Sequence, residues 1–143
     1  FLVVILILYP NKNFDEPYDG IVYSVFVGMG FATAENLTFV LQGSTSLAIL
    51  RMFSAVPAHF IFAVIMGYYL GKAKTNEKFK LFNILLSLFV PVIFHAFYDY
   101  FLFLDFIPGI WVGGFITLLI AFIIAKNSII EHIKASPFKK KRI

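Results

Sequence analysis

Four stretches of this chain, near residues 19–42, 49–71, 81–104 and 108–125, are long and apolar enough to cross a bilayer core of about 30 Å, which takes roughly 20 residues of helix. Polar or turn-forming punctuation separates them, at 10–17, 42–46, 72–80, 105–109 and from 126 onward. Backbone amides in hydrocarbon have no water to bond, so a chain with this pattern folds as helices or as a closed barrel. Runs of this length joined by short connections make antiparallel neighbours, and the expected fold class is an all-α polytopic transmembrane helix bundle. Composition agrees: 60% of the 143 residues are hydrophobic and 14% charged, against about half and about a quarter in soluble domains. No sizeable water-soluble domain fits, and residues 1–143 read as one transmembrane domain. The chain has no cysteine, which excludes disulfides, iron–sulfur clusters and thiolate nucleophiles and leaves His, Asp and Glu as the strong metal ligands.

The apolar run Phe1 to Tyr9 is about half a span and reads as part of an upstream helix, so the domain is expected to be N-terminally truncated. It lacks the basic start and the small-residue cleavage pattern of a signal peptide. Lys12, Lys72, Lys74, Lys78, Lys80, Lys126, Lys134, Lys139, Lys140, Lys141 and Arg142 all fall on one side of the threading, and only Arg51 on the other. The excess of positive charge places the 10–18 loop, the 72–80 loop and the C-terminus in the cytoplasm, with 126–143 a basic cytoplasmic tail. The net charge of +4 is then a topology signal and an anchor to the anionic lipid bilayer, and no nucleic-acid partner is needed to explain it.

Ionisable groups at membrane depth are costly and mark a functional site or a buried partner. Glu35 and Asn36 lie about seven residues from the outer end of their span, His59 about ten from the outer end of the next, and His95 and Asp99 about nine and five from that of the third. At 1.5 Å per residue all five fall roughly 7 to 15 Å below the outer surface, the arrangement a shared intramembrane site requires. His95 and Asp99 are four apart on one helical face, so the carboxylate can orient the imidazole, pair with it, or act as a second ligand. Pro57 and Pro91, just ahead of the two histidines, are expected to loosen their helices.

Plainer roles compete for the same residues. Membrane histidines often only hydrogen-bond between helices, and Asn36 suits that role better than a catalytic one. Arg51 could bind a carboxylate or phosphate, but an arginine at an interface is expected to snorkel outward. His132, in the basic tail, carries no assigned role. Gly28 with Gly30, Gly67 with Gly71, and Gly109 with Gly113 and Gly114 have spacings that let helices approach closely, within the chain or in a dimer; the oligomeric state is not legible. Intramembrane Glu, His and Asp also occur in ion- or proton-coupled transporters and channels, although no inverted repeat is visible. A non-catalytic membrane scaffold is the third class.

Three motifs then carry a resemblance. Phe14 to Val40, FDEPYDGIVYSVFVGMGFATAENLTFV, resembles the signature stretch of the PrsW family of intramembrane proteases, a DGIVYG-like helix start leading to GFAxxEN. Arg51 to Lys74, RMFSAVPAHFIFAVIMGYYLGKAK, is similar to the family's R...PxH...GyylGxAk helix, and His95 to Asp99, HAFYD, resembles its HxxYD motif. Ser24 stands where the family usually has Gly. The resemblance implies a membrane-embedded peptidase, related to the CAAX-protease and bacteriocin-processing superfamily. It would act on a membrane-anchored protein substrate such as an anti-sigma factor, in a bacterial cell membrane. By motif, Glu35, His59, His95 and Asp99 are its catalytic residues, with Asn36 and Arg51 in support. A Glu-Glu-x-x-Lys motif is expected just ahead of Phe1, supplying the general base. His59 and His95 would stabilise the reacting water or oxyanion, either directly or as ligands of a divalent metal such as zinc; the spacing leaves both mechanisms open.

Overall fold

The computed structural model describes residues 1–104 and 106–138; the Lys139 to Arg142 cluster of the basic tail lies outside the described residues. Among these residues the protein is all-helical: a short π-type turn Val4–Leu8, then α1 Pro17–Leu41, α2 Thr45–Phe53, α3 Ala55–Thr75, α4 Lys80–Phe103 and α5 Val112–Ala135. Four helices are long and apolar enough to cross a membrane, namely α1, α3, α5 and α4 with its short 3-10 lead-in from Glu77. α1 starts where its sequence allows: Pro17 occupies the first helical position, and the Asp19 carboxylate accepts from the backbone N–H groups of Asp15 and Glu16. It ends at Gly43, whose φ of +82° gives the left-handed turn that glycine adopts without strain.

α3 is the central element. Ala58 and the unbroken run from Ile61 to Gly67 are buried, and α1, α4 and α5 all pack against it. α1 and α4 flank it without packing on each other, so whatever they share is reached across α3. The closest approach is made by glycine: a Cβ on Gly67 would lie 2.3 Å from the Gly20 carbonyl oxygen, and one on Gly71 would lie 2.1 Å from that of Pro17. A Cβ at Gly28 would meet that of Ala63 at 2.7 Å, so these glycines serve packing inside the chain. Ser24, where the family pattern has glycine, lies fully buried on the same helix. Outward faces are apolar instead, with Leu81, Phe89, Phe115 and Leu119 exposed, as befits a surface solvated by lipid.

The differences from the sequence reading have local causes. The span read at 49–71 is two helices, α2 and α3, parted at Ser54. Pro57 has no N–H to offer the Phe53 carbonyl, so the chain breaks there and proline falls in the first turn of α3, where its missing donor costs nothing. α4, by contrast, runs unbroken through Pro91. The last helix starts at Val112, after Gly109 turns with φ of +79°, and continues past Lys126 to Ala135. Gly114, Thr117, Ala121, Ala125, Ser128 and His132 recur every three or four residues and form its buried stripe. His132, in the basic tail with no role assigned from sequence, is 2% exposed, its ring 4.7 Å from that of Tyr68 and its Cε1 within reach of Gly71. At the same basic end Lys72 pairs with Glu131, Lys74 donates to the Tyr9 carbonyl at 2.7 Å, and Ser136 meets Glu16.

Replacing Gly67 by leucine places a side chain against backbone that cannot yield. The expected result is a loss of at least about 2 kcal/mol in detergent unfolding followed by circular dichroism. Gly30→Ala, with nothing within 4 Å of its Cβ, is expected to be neutral or slightly stabilising.

Candidate functional site

The polar residues of α1, α3 and α4 meet at the end of the bundle opposite the lysines. On α1, Phe31, Glu35 and Phe39 share a face at four-residue spacing, and that face meets the start of α3 and the end of α2. Arg51 Nη2 donates to Glu35 Oε2 at 2.8 Å, and His59 Nε2 lies 2.9 Å from the same oxygen. The guanidinium carbon sits 4.3 Å from the Phe39 ring centre, a cation–π contact. Arg51 therefore turns inward. Snorkelling was the expectation for an arginine at the interface, but here a carboxylate and an aromatic face are within reach and water is not the only partner.

On α4, His95 Nδ1 lies 3.0 Å from Asp99 Oδ2, the i, i+4 pairing that the helical spacing allows. The two halves join through their imidazoles: the His59 and His95 ring centres are 5.0 Å apart, tilted by 44°. Phe31 packs edge-on against His59 and Phe62 against His95, which braces both rings. His59 is the most enclosed, with 11% of its side chain exposed, whereas His95 and Asp99 expose 38% and 37%. The site is thus rooted on α3 and open along α4.

The structure brings together Glu35, Arg51, His59, His95 and Asp99. Asn36 stands beside them with a different job: its amide donates to the Ala48 carbonyl at 3.1 Å and ties α2 to α1, as an interhelical hydrogen-bonding residue would. Its Oδ1 and the Nε of Arg51 are buried without hydrogen-bond partners among the described residues. The aromatic residues that brace the site were not picked out from the sequence. The four-residue spacing of Phe31 and Phe39 about Glu35 was the available signal, obscured by 19 phenylalanines.

The donor types suit a metal: two imidazoles, each with one ring nitrogen held by a carboxylate, the arrangement that orients metal-binding histidines. Two imidazoles sharing one tetrahedral zinc have ring centres roughly 5 Å apart, given Zn–N bonds of about 2.0–2.1 Å. The observed spacing matches that of a two-ligand half-site. Among the described residues, no group of three or more His, Asp or Glu side chains is placed to complete it.

Fold and site together define a polytopic integral membrane protein with ionisable residues from separate helices gathered within its spans. The chain belongs to the PrsW family, described as intramembrane metalloproteases, whose family-level match covers residues 1–126. It is 40% identical over 119 residues to Protease PrsW of Geobacillus kaustophilus, covering 83% of this chain and 53% of that protein. It is also 40% identical over 103 residues to Protease PrsW of Bacillus subtilis, covering 71% and 47%. To Protease PrsW of Clostridioides difficile it is 36% identical over 111 residues, covering 73% and 47%. The chain spans about half the length of the curated relatives it matches. No solved structure matches it.

If Glu35 and Arg51 form one unit, their substitutions are not additive. In a double-mutant cycle of Glu35→Gln with Arg51→Met, followed by unfolding in detergent, a coupling of about 0.5–3 kcal/mol is expected. A value below about 0.3 kcal/mol would contradict the pairing.

Proposed function

We propose that this chain forms the catalytic core of an intramembrane protease that hydrolyses a peptide bond of a membrane-anchored protein substrate, with anti-sigma factors as the substrate class. The observation that carries the reading is the pair of imidazoles 5.0 Å apart, each held by a carboxylate, on helices long and apolar enough to cross a membrane. Water must be delivered and controlled there, and histidines fixed by second partners are the groups that can do so. The exposure of His95 and Asp99 along α4 supports entry of a substrate segment from the bilayer.

In this mechanism His59 and His95 hold the attacking water or the developing oxyanion between their rings. Glu35 and Asp99 fix the two ring orientations, and Arg51 holds Glu35. The water-activating base is assigned to the glutamate pair that the family pattern carries ahead of the stretch beginning at Phe1. The segment to Tyr9 runs beside α1, with Val4 packed in one cluster with Met66 and Leu70 of α3 and the Tyr9 carbonyl meeting Lys74 at the basic end. His59 and His95 are the residues that would hold a divalent metal such as zinc, which when bound would polarise the scissile carbonyl and acidify its water. The protein is placed in the bacterial cell membrane with the basic end, including the C-terminus, in the cytoplasm.

The test is co-expression of the full-length protein with an epitope-tagged single-pass anti-sigma factor of the same organism, read by immunoblot. His59→Ala and His95→Ala are each expected to lower product by at least about 100-fold while the protein remains in the membrane fraction. Normal cleavage by either variant would sink the assigned roles.

A further inference from the structure

The Asp99 carboxylate that holds His95 lies on the same helix, so that pair fixes the imidazole relative to α4 and leaves its distance from His59, on α3, unset. Rings set that distance. Phe31, His59, His95, Phe62 and Tyr98 come in turn from α1, α3, α4, α3 and α4 and form one row, with successive ring centres 5.5, 5.0, 5.4 and 6.2 Å apart. The row has one firm end. Phe31 is 60% exposed and can yield into lipid, whereas Phe62 and Tyr98 are each 5% exposed. Phe62 stands three residues from His59 on α3, and its ring meets those of both His95 and Tyr98 edge-on, themselves three apart on one face of α4. The Phe62 contact is thus the one that registers His95 against the helix carrying His59, and Tyr98 is what holds Phe62 there.

We infer that Tyr98 is a positioning residue whose buried ring backs Phe62 and, through it, sets the separation of the His95 and His59 imidazoles. A tyrosine near the end of a span ordinarily faces the headgroups, but this one is turned into the bundle. Behind it α5 closes the seam, since a Cβ on Gly114 would lie 3.5 Å from the Tyr98 carbonyl. All the contacts in the row fall in the range where edge-on and tilted rings attract. Membrane helices associate by such packing and gain little from excluding lipid, so a vacancy at position 98 is not closed by collapse of the bundle. Phe62 would relax into it, and His95 would lose its stop on the α3 side. The catalytic use of the imidazole separation rests on the proposed function; the registration of the rings does not.

Ring and hydroxyl are separated by Tyr98→Phe, which keeps the ring, and Tyr98→Leu, which removes it; Tyr98→Met replaces the leucine variant should that fail to fold. Leu70→Ala, or Leu70→Val if the alanine variant fails, is the structural control, since it opens a vacancy in the cluster at the basic end, away from the site. The first readout needs no substrate: the nuclear Overhauser effect between the carbon-bound ring protons of His59 and His95, in the otherwise deuterated full chain in metal-free bicelles. It is expected in the unsubstituted chain, in Tyr98→Phe and in the Leu70 control, and to weaken at least about threefold in Tyr98→Leu, the factor that one edge-on contact carries. The second readout is cleavage by the full-length protein. Tyr98→Leu is expected to lower kcat at least about tenfold with KM changed less than about twofold, while Tyr98→Phe and the control stay within about twofold of the unsubstituted protein. An absent effect between the two rings in the unsubstituted chain would overturn the inference, as would an unchanged one in Tyr98→Leu. Equal loss in Tyr98→Phe would make the hydroxyl the working group, and equal loss in the Leu70 control would make the role merely structural; either contradicts it. No cleavage by the unsubstituted protein, with the ring effects as expected, would sink the protease reading and leave the registration by Tyr98 standing.

Discussion

The Glu35 carboxylate is the contact on which the site depends, because it lies on α1 and is claimed at one oxygen by Arg51 from α2 and His59 from α3. An isolated charge at this depth is costly, and a pair gives stability only when geometry is good and the remaining donors are satisfied. Here the pair also has a mechanical consequence. It closes the far end of the bundle by tying three successive elements together, with Asn36 adding a second tether from α1 to α2. Removing one member leaves the other unpaired, which is why the arrangement reads as a unit.

That unit can exist because the helices beneath it approach so closely. Gly20 and Gly67 touch backbone to backbone, Gly28 meets Ala63, and from there α1 continues beside the start of α3 until Glu35 stands over His59. Membrane helices gain little from excluding lipid and associate by van der Waals contact, so small residues at the seam set the registration of polar groups above it. On the other side α4 brings His95 to within 5.0 Å of His59 without touching α1. The central helix therefore serves as a common wall, and the groups on its two neighbours act on the same point through His59.

Much of this was legible in the sequence. The spacing of apolar runs gave four spans, and depth counted in residues put Glu35, His59, His95 and Asp99 at one level. Depth is a one-dimensional quantity, however, and says nothing about azimuth. Whether Arg51 turns out to lipid headgroups or in to Glu35 depends on where α2 folds over the bundle, which follows from the break before Pro57. The reading of 49–71 as one span hid that break. At Lys126 the charge marks no helix end, and α5 runs on to Ala135. The stripe Ala121, Ala125, Ser128, His132 continues straight through it on another face, because a lysine facing away from the core does not interrupt packing.

The central claim is that α3 and α4 bring the imidazoles of His59 and His95 to within 5.0 Å of each other. The chain has no cysteine, so it can be tested cleanly by cross-linking in native membranes with a short bis-methanethiosulfonate, His59→Cys and His95→Cys being combined in one chain. Phe31→Cys with His59→Cys, whose side-chain rings lie 5.5 Å apart between α1 and α3, serves as the reference pair. The account expects an intramolecular cross-link between positions 59 and 95, formed about as readily as in the reference. Efficient cross-linking of the reference with none between 59 and 95 would contradict it.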